Sequence, residues 1–222
     1  MKALASFVLP GESVADIGTD HGFVPIDLLA ENIVPFAILT DINDGPLEKA
    51  KGNLERICIL PEFYDLRKGD GLDPVKNGEV SSIIIAGMGG ETIVDILSWD
   101  VTKSKSYKRL ILQPRKRAFE LRQWLHENGF TIIHEKLVLE DGKICEIIVA
   151  EPGDDNTENP NYYLPKLMYD DPLFPKFLDE YIRKVKVVID NMSNSSETES
   201  LKKTWQFRLE EAERIKNEYS SN

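Results

Sequence analysis

Apolar and polar residues alternate in blocks along the first two thirds of the chain. Short apolar runs that end next to glycine or aspartate are typical of strands buried on both faces of a parallel sheet. Such runs predict strands, in chain order, at residues 13–18, 36–41, 64–68, 82–86 and 110–114. The segments between them place apolar residues three and four apart, which predicts helices that include residues 45–57, 91–97 and 117–128.

This alternation ends after residue 130. Two apolar segments, residues 131–139 and 144–150, are separated only by residues 140–143. A connection this short joins antiparallel strands, so the pair predicts a hairpin. Five strands separated by helices and closed by a hairpin describe an α/β fold with a doubly wound, mostly parallel, seven-stranded sheet and an antiparallel edge. The hairpin ending favours a Rossmann-like methyltransferase sheet over a dinucleotide-binding one.

The last third of the chain has a different pattern. Residues 152–165 are rich in proline, aspartate and asparagine, which predicts a linker and a domain boundary near residue 155. Beyond the linker, apolar residues three and four apart predict two long antiparallel helices, the first beginning at Pro172. This helical hairpin, similar to a coiled coil, either only packs on the first domain or also grips a partner. The predicted domains are residues 1–155 and 160–222.

The composition narrows the possible functions. With 222 residues, of which 41% are hydrophobic, the chain can bury an ordinary core. No apolar run approaches the roughly 20 residues that cross a bilayer. Met1–Pro10 lacks the basic start and the long apolar stretch of a signal peptide, so we expect a cytoplasmic protein without a membrane segment. Cys58 and Cys145 are far apart in sequence, which predicts reduced thiols and no metal site.

The charge distribution is uneven. A net charge of −11 argues against a protein that coats nucleic acid non-specifically, because phosphate contacts need a local excess of Lys and Arg. One stretch has such an excess and contains a single acidic residue, Glu120. We interpret this stretch either as an anion-binding face or as an ordinary solvated surface. Its basic residues are Lys103, Lys105, Lys108, Arg109, Arg115, Lys116, Arg117 and Arg122.

The first strand ends in a turn whose charge discriminates between ligands. In doubly wound sheets the ligand lies beyond the carboxyl ends of the strands. Gly18 lets the chain turn there and is expected to bring backbone N–H groups close to the ligand. A dinucleotide fingerprint would have glycine at position 20, where this chain has Asp20. That carboxylate would repel a pyrophosphate but tolerate the cationic amino-acid part of S-adenosylmethionine.

Three further strand ends carry candidate ligand groups. Asp41 is placed to accept hydrogen bonds from both hydroxyls of a ribose, or else caps a helix. Asp70 lies between two glycines and either holds an adenine amino group or belongs to a plain turn. Residues 86–90 have almost no side-chain bulk, which leaves room for a ligand against exposed backbone. Gln113 closes the fifth strand with an amide that can both donate and accept.

Five motifs resemble those of a known family. They are Asp-Ile-Gly-Thr-Asp-His-Gly (16–22), Ile-Ala-Gly-Met-Gly-Gly (85–90), Leu-Ile-Leu-Gln-Pro (110–114), Leu-Arg-Gln-Trp-Leu (121–125) and Gly-Lys-Ile-Cys-Glu-Ile-Ile-Val (142–149). With these motifs the chain resembles the bacterial tRNA (adenine-22-N1)-methyltransferases. The resemblance implies a class I methyltransferase fold, S-adenosylmethionine as donor, and N1 of one adenine in the D-arm region of tRNA as acceptor.

The resemblance also implies roles for individual residues. Position 41 is Asp where relatives often have Glu, and either carboxylate can bind ribose hydroxyls. We expect Asp20 to lie near the positive charge that develops on the adenine, and His21 to contact the base or order the loop. A buried His21 without a catalytic role is the alternative. The expected cofactor-binding residues are Asp16, Gly18, Thr19, Asp41, Ile42, Asn43, Asp70, Gly71, Ala86, Gly87, Met88 and Gly89.

The expected partner is tRNA, bound by a monomeric enzyme. We expect the C-terminal hairpin and part of the basic stretch to hold the tRNA backbone. Four other functions remain open from the sequence: methylation of another RNA base, methylation of protein, nicotinamide-dependent oxidoreduction, and RNA binding without catalysis. The basic residues expected to contact tRNA are Lys103, Lys105, Lys108, Arg115, Lys116 and Arg117.

Overall fold

The computed structural model describes residues 2–154, 157, 160–192 and 196–220. The chain divides into two compact units, Met1–Tyr163 and Leu164–Asn222. The domain boundary predicted near residue 155 falls on a residue outside the described ranges. In those ranges, no helix has both the length and the apolar character that crossing a membrane requires.

The first unit alternates strands and helices. Its strands are β1 (Val14–Ile17), β2 (Ala37–Asp41), β3 (Tyr64–Lys68), β4 (Ser82–Met88), β5 (Arg109–Pro114), β6 (Phe130–Glu140) and β7 (Lys143–Pro152). Its helices are α1 (Lys2–Ala5), α2 (Phe23–Ala30), α3 (Asp44–Arg56), α4 (Gly90–Ser98), α5 (Val101–Ser104) and α6 (Ala118–Glu127), and a short 3₁₀ helix spans Pro61–Phe63.

The seven strands form one sheet in the order β3-β2-β1-β4-β5-β7-β6. The first five strands along the chain are parallel, whereas β7 pairs antiparallel with both β5 and β6. This arrangement confirms the predicted doubly wound sheet with an antiparallel edge. The chain leaves β1 toward β2 and later returns to β4 on its other side, so the strand order reverses between β1 and β4. Such a reversal opens a crevice at the carboxyl ends of the strands.

Apolar side chains cover both faces of the central strands, which explains why these strands are continuous apolar runs. On one face, Ile83 and Ile85 of β4 pack with Leu97 of α4 and Leu121 of α6. On the other face, a separate cluster joins Ile84 and Ile111 to Leu28 of α2 and Leu54 of α3. The two layers of helices hold the strand ends rigidly, because each face of the sheet is closed by packed side chains.

The second unit contains two antiparallel helices, α7 (Phe174–Asp190) and α8 (Ser196–Ser220), after a 3₁₀ helix at Lys166–Met168. Two ion pairs, Lys186–Glu213 (2.8 Å) and Lys216–Asp179 (2.6 Å), connect α7 to α8. The later residue of α7 pairs with the earlier residue of α8, as expected for antiparallel helices. The predicted helical hairpin is therefore present. Its start at Pro172 is wrong, because Asp171 accepts a hydrogen bond from the backbone N–H of Leu173 and forms a turn that delays α7 to Phe174.

Candidate active site

The crevice at the carboxyl ends of the strands has two lobes that share Gly18. The β2–β3 lobe has a volume of about 380 Å³ and the β5 lobe about 570 Å³. Both volumes lie in the range of small-molecule sites, roughly 300–1,000 Å³. The β2–β3 lobe is lined by Ile17, Gly18, Asp41, Ile42, Gly69, Asp70, Gly71, Leu72, Asp73, Met88, Thr92, Asp95, Ile96 and Trp99. The β5 lobe is lined by Leu4, Asp16, Gly18, Thr19, Asp20, His21, Gly22, Phe23, Val24, Ala86, Gly87, Gln113, Arg115, Leu139, Glu140 and Asp141.

The β2–β3 lobe combines carboxylates with exposed apolar side chains. Asp41 Oδ1 accepts a hydrogen bond from the N–H of Asn43 at 2.8 Å, which fixes the carboxylate at the end of β2. The N-cap of α3 is Asn43, and no side-chain capping bond is present there, so the alternative that Asp41 caps the helix is wrong. The contact with Asn43 occupies only one of the two carboxylate oxygens of Asp41. Trp99 is 83% exposed and Ile42 is 57% exposed. Large apolar side chains grouped at a concave surface in this way are typical of a ligand site.

The turn after β1 is tighter than expected. Gly18 has a φ of +73°, and a Cβ atom at this position would overlap Met88 Cε. The N–H groups of Gly18 and Thr19 both donate to the carbonyl of Thr40, at 2.9 and 2.8 Å. The prediction that Gly18 offers backbone N–H groups to a ligand is therefore wrong for these two groups. Glycine is needed here for the turn and for the close approach of Met88.

Among the described residues, two of the four buried side-chain atoms without a hydrogen-bond partner line the β5 lobe. Asp16 is 9% exposed, and burial raises its pKa to about 6 against a smaller opposing effect of Thr19. Gln113 Nε2 is buried and makes no hydrogen bond with any described residue. Thr19 Oγ1 is also buried and lies close enough to Asp16 to lower its pKa, but has no other partner among the described residues. Because buried polar groups normally have partners, the Gln113 amide and the buried pair of Asp16 and Thr19 indicate that a polar ligand completes the lobe.

Asp20 and His21 lie together at the mouth of the β5 lobe. His21 Nε2 is 3.2 Å from Asp20 Oδ2, and Lys49 Nζ is 3.5 Å from Asp20 Oδ1. The His21 ring stacks on Phe23, with centroids 5.0 Å apart, and Asn53 donates to the His21 carbonyl. The His21 side chain is 37% exposed. The burial expected in the alternative for His21 is therefore wrong, because its ring faces both solvent and a carboxylate, while a catalytic role for His21 stays a prediction.

Ten of the twelve predicted cofactor-binding residues line the crevice. The β2–β3 lobe contains Gly18, Asp41, Ile42, Asp70, Gly71 and Met88, and the β5 lobe contains Asp16, Gly18, Thr19, Ala86 and Gly87. Asn43 and Gly89 line neither lobe and instead stand at the starts of α3 and α4. Gly87 has a φ of +80° at a break in the β4–β5 register, which opens β4 toward the crevice.

The contributions of α4 and of the β6–β7 hairpin to the crevice were not predicted. Thr92, Asp95, Ile96 and Trp99 line the β2–β3 lobe from α4 and the residue that follows it. Their spacing of three, four and seven places them on one helix face, so the signal was present in the sequence. Leu139, Glu140 and Asp141 reach the β5 lobe from the hairpin, which no local pattern could indicate.

The basic stretch does not form one uniform face. Arg122 is 2% exposed and bonds to Glu135 (2.6 Å) and Glu146 (2.5 Å), so its assignment to an anion-binding surface is wrong. Arg109 pairs with Glu151 and contacts the Phe7 carbonyl, which gives it a structural role. The exposed arginines also have partners: Arg115 pairs with Glu140, and Arg117 pairs with Glu91 and Glu120. Lys108 lies 3.7 Å from Glu12.

Comparison with known proteins agrees with this geometry. A family model described as a methyltransferase domain matches residues 1–148. The tRNA (adenine(22)-N(1))-methyltransferase of Bacillus subtilis (strain 168) is 33% identical over 210 residues, which are 91% of this chain and 88% of that protein. The chain belongs to the tRNA (adenine(22)-N(1))-methyltransferase family. This confirms the family identified from the sequence motifs and sets aside the oxidoreductase alternative.

Solved structures of this family extend the similarity to nearly the whole chain. A putative tRNA (m1A22) methyltransferase of Streptococcus pneumoniae matches with a TM-score of 0.88 and 29% identity, covering 97% of both chains. The same protein in complex with S-adenosyl-L-methionine matches with a TM-score of 0.85. The predicted methyltransferase fold and the predicted cofactor class are therefore confirmed.

Proposed function

We propose that this protein transfers a methyl group from S-adenosylmethionine to N1 of adenine 22 in tRNA. The observation that carries the proposal is the two-lobed crevice, in which a carboxylate-rimmed lobe and a lobe with unpaired polar groups meet at Gly18. One ligand in each lobe would bring a donor and an acceptor together at this glycine. The similarity to the B. subtilis enzyme over 91% of the chain supports the choice of tRNA as acceptor.

The residues of the β2–β3 lobe fit the nucleoside part of the cofactor. A ribose needs acceptors for two hydroxyl groups, and Asp41 has a second oxygen beyond the one bonded to Asn43. Asp70 stands across the same lobe as an acceptor for an adenine amino group. Ile42, Ile96 and Trp99 provide apolar surface for the flat base. We assign Asp41 to the ribose and Asp70 with Gly71 to the adenine.

The groups around Gly18 fit the amino-acid part of the cofactor. Asp16 and Thr19 are buried beside Gly18 and have unused hydrogen-bonding capacity. An ammonium group near Asp16 would favour the charged carboxylate and so offset the cost of its burial. Ala86, Gly87 and Met88 present small or flexible side chains at the end of β4. Asn43 and Gly89 take part only indirectly, because they begin the helices that carry other residues of the lobe.

The chemistry requires alignment more than proton transfer. S-adenosylmethionine supplies an electrophilic methyl group when bound. The N1 lone pair of neutral adenine forms the new N–C bond while the methyl–sulfur bond breaks, so positive charge passes to the adenine and no proton has to be removed first. Holding two reactants in line can contribute roughly 7–11 kcal/mol to the rate acceleration. The rigid strand ends on both sides of Gly18 provide this alignment.

Asp20 and His21 are placed to respond to the charge that develops on the base. We assign Asp20 to electrostatic stabilisation of the cationic product, since its carboxylate stands at the mouth of the β5 lobe with only exposed partners. His21 holds Asp20 at 3.2 Å and, together with Phe23, forms a ring surface against which the base can stack. The target base must leave its stack or pair to enter the lobe, because N1 lies on its pairing edge.

For the tRNA backbone we retain Lys103, Lys105, Lys108, Arg115, Lys116, Arg117 and the α7–α8 hairpin as the proposed contacts. The exposed ion pairs of Arg115 and Arg117 contribute little stability, so phosphates can replace their carboxylate partners. Replacing Arg115 and Lys116 together by Glu should weaken tRNA binding at least tenfold, and more at low salt. Cofactor binding should be unchanged. The monomeric state and the cytoplasmic location stay predictions.

The test of the function is direct. The purified protein is incubated with unmodified tRNA and S-adenosylmethionine, and methylated adenines are mapped by mass spectrometry of the digested tRNA. We expect one N1-methyladenine at position 22, lost when adenine 22 is replaced by guanine. Binding of the cofactor without methyl transfer to any tRNA would favour the non-catalytic RNA-binding alternative. Methylation at another base would place the protein in a different specificity class.

A further inference from the structure

Gln113 carries a buried donor that no described residue satisfies. The residue lies near the end of β5, is 2% exposed, and its Nε2 atom has no hydrogen-bond partner within the described ranges. Such a group inside a native protein calls for an explanation, and a ligand that supplies the missing acceptor is one. Because Gln113 lines the β5 lobe, the ligand in question is the one that enters this lobe.

The register of the sheet places Gln113 on the same face as Asp16. Ile84 lies opposite both Asp16 and Ile111, and Ala86 lies opposite Gln113. Since side chains alternate along a strand, Asp16, Ala86 and Gln113 point to one face of the sheet. Ala86 stands beside the amide and adds only a methyl group. The end of β5 therefore presents its amide at the floor of the lobe.

The walls of the same lobe suit a flat base. Phe23 is 44% exposed and lies nearly parallel to the His21 ring, with an interplanar angle of 16°. Leu139, which is 53% exposed, reaches the lobe from β6. Aromatic and apolar surfaces of this kind hold unstacked bases by their faces and leave the base edges to polar groups. Among the polar groups that line this lobe, the amide of Gln113 is one that can donate and accept at once, as a base edge requires.

We propose that Gln113 is a specificity-determining residue that recognises the target adenine by its N6 and N7 edge. Nε2 donates to N7, and Oε1 accepts from the N6 amino group. This pair of hydrogen bonds is the usual way in which an amide side chain recognises adenine. It leaves N1 free, as methylation at N1 requires. The assignment rests on the proposed function, because it concerns the acceptor of that reaction.

The same contact explains selection against guanine and assists the reaction. Guanine presents O6 in place of the N6 amino group, so Oε1 would face another acceptor. When N1 becomes methylated, positive charge spreads toward the N6 amino group and strengthens its hydrogen bond to Oε1. The contact is therefore stronger in the transition state than in the bound substrate, which is the condition for a contribution to rate.

The experiment combines a change in the enzyme with a change in the base. Two tRNAs differ only at position 22, where one carries adenine and the other 7-deazaadenine, in which a C–H group replaces N7. Initial rates of methylation are measured for the unaltered enzyme and for Gln113→Ala. Gln113→Leu, which keeps the volume of the side chain, is measured in parallel in case the smaller residue destabilises β5. Gln123→Ala on the exposed face of α6 is the matched control.

We expect 7-deazaadenine to lower kcat/KM of the unaltered enzyme and of Gln123→Ala about tenfold, which is the order expected for an amide–adenine contact. Gln113→Ala should lose at least as much with ordinary tRNA, because it also removes the contact to N6, and 7-deazaadenine should then cause little further loss. The dissociation constant for S-adenosylmethionine should stay unchanged. Any effect of the missing N7 on the reactivity of N1 cancels, because it is the same for every enzyme.

Two results would overturn the assignment while leaving the proposed function intact. One is a loss with 7-deazaadenine that is as large in Gln113→Ala and Gln113→Leu as in the unaltered enzyme, since Gln113 would then not contact N7. The other is a large loss of cofactor affinity in both variants, which would make Gln113 a cofactor ligand. Absence of methylation of ordinary tRNA by the unaltered enzyme would instead overturn the proposed function, and this assignment with it.

Discussion

Two regions of the first unit bury a carboxylate to the same extent but supply it with different partners. Asp16 in the crevice and Glu135 on β6 are each 9% exposed. Glu135 accepts from Arg122 at 2.6 Å, and Arg122 also bonds to Glu146 and to the carbonyl of Tyr162. Glu135 Oε2 has no hydrogen-bond partner among the described residues, but Glu135 has an ion pair, whereas Asp16 forms no ion pair with any of those residues. The two carboxylates are equally buried and differ in whether the protein itself supplies a cation, so we infer that a ligand supplies one at Asp16.

The pKa of both carboxylates is raised, but different groups oppose the rise. In the crevice, burial raises the pKa of Asp16 to about 6, and only Thr19 opposes the rise. In the structural cluster, burial and the nearby charge of Glu146 raise the pKa of Glu135, and the charge of Arg122 and its hydrogen bond reduce the rise without cancelling it. Burial lowers the pKa of Arg122, yet Glu146 and Glu135 outweigh that effect and the pKa is raised. The structural cluster thus contains its own cation, Arg122, whereas no described residue supplies a cation to Asp16.

The largest expected effect comes from breaking the structural cluster. Arg122→Ala leaves Glu135 and Glu146 without their cation and should lower the free energy of unfolding by about 3–5 kcal/mol. Urea denaturation followed by circular dichroism measures this change. Arg56→Ala on the exposed surface of α3, whose side chain bonds only to Asn53 in the structure, should change it by less than about 0.5 kcal/mol. A similarly small loss in Arg122→Ala would show that the cluster is not structural.

Removing the Asp16 carboxylate should raise the free energy of unfolding, whereas Arg122→Ala should lower it. The pKa of Asp16 is about 6 in the folded protein and 3.8 in its ordinary state, so the folded protein binds the proton more tightly. The contribution of Asp16 to stability is therefore lost as the pH rises from about 4 through 6. Above this window the buried charge costs about 3 kcal/mol, on the basis of 1.36 kcal/mol per pKa unit.

Asp16→Asn removes this cost. The cofactor-free variant should be more stable than the unaltered protein by up to about 3 kcal/mol at pH 8, and the difference should disappear near pH 4. Thermal unfolding at both pH values measures it. The same variant should bind S-adenosylmethionine more weakly, because it lacks the charge that we assign to the cationic part of the cofactor. A variant that is less stable at pH 8 would contradict the description of Asp16 as an uncompensated charge.

The two regions differ in how far they could be predicted. The strand ends at Asp16, Asp41 and Asp70 were recognisable because an apolar run followed by glycine or aspartate is a local pattern. Burial of Arg122 was not, because its partners lie 13 and 24 residues further along the chain, on the two strands of a hairpin. The hydrogen bond from the Gly18 N–H to the Thr40 carbonyl could not be predicted either, because it depends on pairing between strands.

Substitution of Asp41 tests whether its carboxylate in the β2–β3 lobe binds the ribose of the cofactor. Asp41→Ala should weaken binding of S-adenosylmethionine by about 1–3 kcal/mol, since it removes hydrogen bonds between a charged acceptor and the ribose hydroxyls. The fold should be retained, because the Asp41 side chain bonds only to the N–H of Asn43 among the described residues. Titration calorimetry measures the affinity, with Glu48→Ala on the exposed side of α3 as the control. Unchanged affinity would remove Asp41 from the ribose contact.

Trp99 offers the smallest effect and the most direct signal. It is 83% exposed at the rim of the β2–β3 lobe, where a bound adenine would cover part of the indole. Adding S-adenosylmethionine should therefore change the tryptophan fluorescence, and Trp99→Phe should abolish most of that change while Trp124→Phe retains it. Trp99→Ala should weaken cofactor binding by about 1 kcal/mol, at the low end for an aromatic side chain stacked on a base. If the signal persists without Trp99, the exposed indole does not contact the cofactor, and the adenine surface of the β2–β3 lobe is limited to Ile42 and Ile96.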